Sequence, residues 1–333
     1  MSEKQKGLVK LGLRVLVTGV SLVWVVKTVD FGQFRQAVAS ARWGLLVGVW
    51  LFNAALFWVR SYQFQLILRK LQCRVPVNTL FGASAVMALY GMIMPGMFSL
   101  AAKWYVIKRA AGSGSLVLCA MVFNQVSMMA VMVAFSLLAL VITNPLKQLP
   151  LTAAQVHGLS ATALALFFAI ILVFSGLLSR RVGIFFDRIV DRLLVPIPGS
   201  IRSRIETVLG QLKTFRTAGA GFHSLIVALA LVTGAIAGGV LYWLAAKAAN
   251  CPDVPFMVYV WLQAIVYILG RTPIAVANCG PREFVLINLL GLYGVDKSHA
   301  LLMSTIVFSA YIFMGFLGAL YQVGWSLYNK RPL

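Results

Sequence analysis

Two charged residues, Arg282 and Glu283, stand side by side in the segment NCGPREF, inside a stretch that is otherwise apolar. A charged residue at the centre of a membrane helix costs about 2.5–3.5 kcal/mol, so such residues persist where they pair or face a water-filled cavity. Glu283 fits the first turn of a helix that begins after Gly280, and with Arg282 it could form a self-neutralising structural pair. A cation at a helix start is unfavourable without a nearby anion, which favours an anion-binding role for Arg282.

Three further basic residues lie within apolar runs: Arg271, Lys103 and Arg60. Only eight acidic residues occur in the chain, and most of them fall between the apolar runs, so these cations are expected to be short of acidic partners. For Arg60 the alternative is that the side chain snorkels to the membrane surface. A cationic pocket in a membrane is typical of a site for a lipid phosphate, bound by arginine side chains and by the free N–H groups of helix starts.

Intramembrane amides are the other candidate polar groups of this pocket, although such side chains more often bond helices to one another. The candidates are Asn124, Gln125 and Asn278. The four cysteines and three histidines are scattered along the chain, so no metal site is expected. No cofactor motif and no catalytic residue is predicted.

The composition is that of an integral membrane protein. Of the 333 residues 61% are hydrophobic and only 11% are charged, and the mean hydropathy is +0.90. The net charge of +21 comes from basic residues that cluster at the ends of apolar runs, where they orient helices and meet anionic headgroups. This placement argues against nucleic acid as a partner. The N-terminal apolar run is too long for a signal peptide and is expected to be a retained first helix.

The chain offers eight apolar runs of a length suited to a membrane. They occupy residues 8–29, 44–68, 77–107, 115–142, 158–179, 222–249, 255–293 and 299–327. The third and seventh runs are interrupted by proline and glycine, and the predicted hairpin tips and hinges are Pro95, Gly96, Pro273, Gly280 and Pro281.

The distribution of basic residues sets the topology. Residues 180–221 carry eight basic residues and residues 143–157 carry one, so the longer loop is predicted to be cytoplasmic. A single crossing by residues 77–107 would place one basic cluster on the wrong side. The rule therefore favours two hairpins that each enter and leave by one side, with six full crossings and both termini cytoplasmic. The alternative is a pair of short helices that together span the membrane.

The sequence thus predicts an all-α integral membrane protein with about six full transmembrane helices and two oppositely oriented re-entrant helical hairpins in an inverted-repeat arrangement. Residues 1–333 form a single polytopic domain. Half one is residues 1–142 with hairpin 77–107. Half two is residues 158–333 with hairpin 255–293 and a cytoplasmic amphipathic loop, 180–221, whose apolar stripes predict helices on the inner leaflet. Broken segments in both halves are typical of transporters with a site near the midplane.

The segment TPIAVANCGPREFVLINLLGLYGVDKSHALLMSTIVF resembles the C-terminal signature of the lysylphosphatidylglycerol synthase transmembrane region, or flippase-like, family. The matching positions are Pro273, Gly280, Arg282, Glu283, Gly294 and Ala300. Pro95, Gly96 and Lys103 are similar to the family's earlier Pro-Gly element, and Arg60 resembles the arginine that ends its second helix. Ser99 and Leu100 stand where the family commonly has a glycine and an acid, and Asn124, Gln125 and Met128 replace a Glu-Arg pair and a later Asp, which makes the site less acidic.

The resemblance implies a lipid-translocating domain in the cell (inner) membrane. We expect a transporter or flippase, and not an enzyme, for an anionic phospholipid or a polyprenyl-phosphate-linked glycolipid, with a separate lipid-modifying synthase as a further candidate partner. Because the sequence ends at Leu333, no aminoacyltransferase is expected. The alternatives are a scaffold for such a synthase and a membrane glycosyltransferase, for which Asp30 and Asp253 are the external acidic candidates.

Overall fold

The computed structural model of the chain describes Val23, Lys27 and residues 29–93, 96–148, 152–178, 210–271 and 279–329, and every regular element in these residues is helical. The α-helices in chain order are α1 (Phe31–Ser40), α2 (Trp43–Lys70), α3 (Val77–Ile93), α4 (Gly96–Ala111), α5 (Gly114–Thr143), α6 (Ala153–Leu178), α7 (Ala220–Ala230), α8 (Ala237–Ala248), α9 (Phe256–Arg271), α10 (Pro281–Gly291) and α11 (Lys297–Asn329). A 3₁₀ turn, Pro145–Gln148, follows α5. One π-helical turn, Leu231–Ile236, joins α7 to α8.

Within the described residues, five helical segments are long and apolar enough to cross a membrane. They are Trp43–Lys70, Gly114–Thr143, Ala153–Gly176, Ala220–Ala248 and Lys297–Leu327. The predicted first crossing, residues 8–29, lies almost wholly outside the described residues. The prediction of an all-α, multi-pass membrane protein is confirmed at this level.

Both interrupted runs consist of two helices. The first divides into α3 and α4, and α4 begins at Gly96 as expected. A Cβ built on Gly91 would lie 3.8 Å from the Cβ of Ser99, whereas eight residues of one continuous helix would separate the two by about 12 Å. The chain therefore reverses between them, and α3 packs beside α4.

The second interrupted run divides into α9 and α10, with Pro281 as the first residue of α10. Pro95, Pro273 and Asn278 lie outside the described residues. The re-entrant orientation of both segments and the inverted repeat stay predictions.

The end of the loop 180–221 packs on the helices. Residues 210–216 are helical, and Phe215 is 1% exposed. Its ring stacks on Phe123 with centroids 4.0 Å apart and on Phe222 at 6.1 Å. The apolar side chain of Phe215 is therefore covered by α5 and α7, and the position of the loop on the inner leaflet stays a prediction.

Close backbone contact joins α3 to α11. A Cβ built on Gly318 would lie 2.5 Å from the carbonyl carbon of Ala85 and nearer still to its oxygen. At the same seam a Cβ on Gly315 would lie 2.9 Å from Cε of Met92, and one on Gly82 would lie 2.6 Å from the ring of Tyr321. Small residues let membrane helices approach closely, where van der Waals contact and not water exclusion drives association.

Because of this close contact, adding one methyl group at Gly318 is expected to destabilise the protein. Gly318→Ala is expected to lower the melting temperature of the detergent-solubilised protein, since overpacking costs about 1–3 kcal/mol and the clash is with backbone. Gly324→Ala on the same helix is the matched control, because a Cβ there meets nothing within 4 Å. Equal melting temperatures for the two variants would contradict the close packing of α3 on α11.

Candidate functional site

The start of α10 is closed by Glu283. Gly280 precedes the helix with φ +94°, a left-handed conformation that glycine adopts without strain. The Gly280 N–H donates to Oε2 of Glu283 at 2.6 Å. Pro281 at the first helical position has no N–H to satisfy. The predicted helix start and its acidic first turn are both confirmed.

Arg282 is paired within the protein. Its Nε donates to Oε1 of Glu283 at 3.0 Å and its Nη2 contacts the same oxygen. Nε also donates to Oγ of Ser304 at 2.8 Å, and that hydroxyl donates to Oε1 of Glu283 at 3.0 Å. The guanidinium lies over the ring of Phe308, 4.7 Å from its centroid.

Arg282 and Glu283 are 5% and 7% exposed, so the pair is buried against α11. The expectation that Arg282 lacks an acidic partner is wrong, and the alternative of a structural pair is what the structure shows. The physical reason is local. Glu283 folds back to cap Gly280, and this brings its second oxygen within reach of the neighbouring guanidinium. The assignment of Arg282 and Glu283 to a lipid headgroup stays a prediction.

Arg60 reaches a second irregular piece of backbone. It is half-buried on α2, and its Nε and Nη2 donate to the carbonyl oxygen of Thr233 at 3.2 and 2.6 Å. Thr233 belongs to the π-helical turn, and the next carbonyl, that of Gly234, accepts from Nε2 of Gln263 at 3.0 Å. π-turns are rare and recur at functional sites. Two consecutive carbonyls of this turn are therefore bonded by side chains from other helices.

Lys103, on α4, contacts α2 one turn from Arg60. Its ammonium group is 5.3 Å from the ring centroid of Phe64. Phe64 follows Arg60 by four residues, and residues with this spacing are neighbours on one helix face. Two of the predicted cationic residues, one from α2 and one from α4, are thus associated with neighbouring positions of α2.

The amides extend this polar region. Nε2 of Gln63 donates to Oδ1 of Asn124 at 3.3 Å, and the Thr233 hydroxyl donates to Oε1 of Gln63 at 3.3 Å. We call Arg60, Gln63, Asn124 and Thr233 the Arg60 cluster. Gln125 points to a different partner, the hydroxyl of Tyr267, at 3.1 Å. Both predicted amides on α5 therefore bond one helix to another.

Sequence reasoning missed Gln63, Thr233 and the π-turn. The available signal was the segment LVTGAIAGGV, in which a threonine and three glycines interrupt an apolar run. A Cβ built on Gly238 would lie 2.7 Å from Oε1 of Gln263, and one on Gly239 would lie 2.7 Å from Cγ2 of Val260. These glycines allow the helix with the π-turn to lie close against α9.

Among the described residues, the contacts of Arg282 and those of the Arg60 cluster involve different partners. Arg282 meets α11, while Arg60 and Lys103 meet the π-turn and Phe64. The side chain of Arg271 lies outside the described residues, as do Pro273 and Asn278. The predicted grouping of Arg282 with Arg271 and Lys103 in one pocket stays a prediction.

The two acids considered for a glycosyltransferase have structural partners. Asp30 caps α1, accepting from the N–H groups of Gly32 at 2.7 Å and Gln33 at 3.3 Å. Asp253 pairs with Lys247 at the surface, and the hydrogen bond and charge of that lysine hold the pKa of the Asp253 carboxyl below its usual value. In the part of the chain that the structure describes, no group of three His, Cys, Asp or Glu residues could hold a metal.

A double-mutant cycle tests whether Arg282 and Glu283 act as a pair. Glu283→Gln leaves a buried, charged guanidinium without its acid, a change that costs about 3–5 kcal/mol, so the melting temperature is expected to fall sharply. Arg282→Gln together with Glu283→Gln is expected to restore part of the loss, because no buried charge remains. Asp253→Asn, at an exposed pair, is the control and is expected to change little. Strictly additive effects of the two substitutions would contradict the coupling.

A comparison with protein families gives one match. The family model of the lysylphosphatidylglycerol synthase transmembrane region matches residues 11–319, nearly the whole chain. No curated protein matches the chain significantly. The match includes the helix start at Arg282 and Glu283, the broken segment before Lys103, and Arg60. On this evidence the chain belongs to the lysylphosphatidylglycerol synthase transmembrane region family.

Proposed function

We propose that the protein moves an anionic phospholipid or a polyprenyl-phosphate-linked glycolipid between membrane leaflets, and that Arg60 and Lys103 bind the headgroup phosphate. The observation that carries the proposal is that Lys103 contacts Phe64, one turn along α2 from Arg60, which itself bonds the π-turn. The two cations come from separate helices, one of them the second half of a broken segment. A transport site built at a broken helix is the arrangement that many transporters use.

The chemistry of the two side chains suits a phosphate. Arginine presents a planar fork of N–H donors that matches phosphate oxygens, and lysine adds a compact charge on a flexible stem. The ring of Phe64 beside Lys103 gives the ammonium an apolar and polarisable wall. Gln63 and Asn124 supply further hydrogen-bonding groups next to Arg60, of the kind that hydroxyl-rich headgroups require.

The irregular backbone supports a moving part at this position. Non-helical backbone within a membrane is tolerated where it is buried in protein or lines a cavity. Thr233 and Gly234 use their carbonyls to bind Arg60 and Gln263, so the π-turn is held by two side chains and not by lipid. In the proposal, a phosphate that engages Arg60 competes with the Thr233 carbonyl and changes how α2 is held to the π-turn.

The Arg282–Glu283 pair has a supporting role in this proposal. It fixes the start of α10 against α11, and so fixes one end of the second broken segment, to which Arg271, Pro273 and Asn278 belong. In the proposal, the protein lies in the cell inner membrane with both termini cytoplasmic. It catalyses no covalent change and requires no cofactor. A separate lipid-modifying synthase remains a candidate partner that would supply or use the transported lipid.

Transport can be measured in liposomes that contain the purified full chain and fluorescent phosphatidylglycerol, by quenching the outer leaflet. Arg60→Gln and Lys103→Gln are each expected to slow transbilayer movement by about tenfold or more, since a hydrogen bond to a charged group contributes about 1.5–3 kcal/mol. Arg109→Gln is the matched control, because Arg109 is exposed near the end of the same helix as Lys103.

A comparison of headgroups separates binding from folding. If Arg60 and Lys103 bind the phosphate, their substitution slows phosphatidylglycerol more than a fluorescent diacylglycerol without phosphate, and Lys103→Arg retains most of the rate. A purely structural role would slow both lipids alike. Unchanged movement of phosphatidylglycerol in both variants, at equal incorporation, would overturn the proposal.

A further inference from the structure

A second cationic site lies at the end of α2, away from the Arg60 cluster. A cavity of about 600 Å³ is lined by Gln65, Arg69, Gln72, Arg74, Val75 and Pro76. This size falls within the usual range for a small-molecule site, about 300–1,000 Å³. Two arginines contribute to the lining, and none of the four acids that the structure describes does.

The cavity is built by a well-defined turn. Helix α2 ends at Lys70, and Gln72 takes a left-handed conformation with φ +61°. The N–H of Cys73 then donates to the carbonyl of Leu68 at 2.9 Å. Nε2 of the buried Gln65 donates to the carbonyl of Val75 at 2.7 Å and holds the following segment against the helix. Arg69 and Arg74 are both exposed at the rim of this fixed turn.

The charge of the site favours an anion. The carbonyl end of a helix carries about half a negative charge, whereas Arg69, Lys70 and Arg74 contribute three positive charges around the end of α2. The three positive charges exceed the partial negative charge of the helix end. Basic residues at the end of a membrane helix lie at the level of the lipid headgroups, and the basic residues of this end predict the cytoplasmic side, where anionic lipids concentrate.

The cavity is separate from the Arg60 cluster. Arg69 follows Arg60 by nine residues, which at 100° per residue places it about 180° around α2, on the opposite face. A lipid bound at Arg69 therefore does not occupy the face that Arg60 shares with Phe64. The inference does not depend on the proposed transport.

We propose that this cavity is a second binding site for a phosphate headgroup, taken from an anionic lipid of the adjacent leaflet, with Arg69 and Arg74 as its ligands. The two guanidinium groups bind the phosphate oxygens, and Gln72 at the rim provides an amide for the rest of the headgroup. The acyl chains stay in the leaflet beside α2. Such a lipid holds the end of α2 and the segment leading to α3 together.

The test is a titration of the detergent-solubilised full chain with phosphatidylglycerol, followed by native mass spectrometry. The double variant Arg69→Gln with Arg74→Gln is expected to weaken binding by about tenfold or more, since each basic residue near an anionic headgroup is worth about fivefold in affinity. Lys108→Gln with Arg109→Gln removes the same charge outside the cavity and is expected to have less than about a twofold effect on it. The same loss is expected in the Lys103→Gln background, which removes the contribution of the transport site.

Two further titrations identify the ligand. Diacylglycerol is expected to bind equally weakly to the wild-type chain and to the Arg69/Arg74 variant, because it has no phosphate. Inorganic phosphate is expected to compete poorly, because it has no acyl chains to hold it at the leaflet. Displacement of phosphatidylglycerol by inorganic phosphate at equal concentration would assign the cavity to soluble phosphates and overturn the lipid site. Equal losses from the two double variants would overturn the cavity as a site of either kind.

Discussion

Every break in the helices of this protein has to be satisfied by the protein itself. Hydrocarbon offers no hydrogen-bonding partner, so a backbone N–H or carbonyl released from a helix ladder needs a side chain nearby. Glu283 meets this need at Gly280, Arg60 meets it at Thr233, and Gln263 meets it at Gly234. Glu283, Arg60 and Gln263 are thus tied to the irregular backbone.

The start of α10 and the π-turn meet this constraint in different ways. At the start of α10, Arg282 donates to the adjacent Glu283, and the Ser304 hydroxyl is hydrogen-bonded to both residues. At the π-turn a cation donates to a neutral carbonyl. The first arrangement is suited to holding a structure, and in the proposed function the carbonyl of the second gives way to a phosphate.

Much of the architecture could be predicted from the sequence. Hydropathy located the long helices, and the proline and glycine residues located both broken segments, because these residues interrupt helices for local steric reasons that need no tertiary information. The start of α10 at Pro281 followed in the same way. The sequence leaves the pairing of Arg282 with Glu283 as one of two alternatives, because residue order does not show whether an acid folds back onto its own helix turn.

The rest could not be predicted because it depends on contacts distant in sequence. The π-turn lies in an apolar run whose hydropathy is continuous, and its geometry is fixed by Arg60 and Gln263 from other helices. Phe215 belonged to an amphipathic pattern typical of interfacial helices, yet its ring stacks on Phe123. The contact of Lys103 with Phe64, one turn from Arg60 on α2, likewise depends on the tertiary structure. Hydropathy periodicity carries no information about any of these partners.

The glycine seam between α3 and α11 has a consequence for biosynthesis. A nascent membrane protein emerges from its N-terminus, so α3 enters the bilayer long before α11 is made. The face of α3 around Gly82 and Ala85, which packs closely against α11, therefore lies against other neighbours until α11 is inserted. Assembly of this domain is therefore completed late, when the newly made α11 docks against a helix from the beginning of the chain.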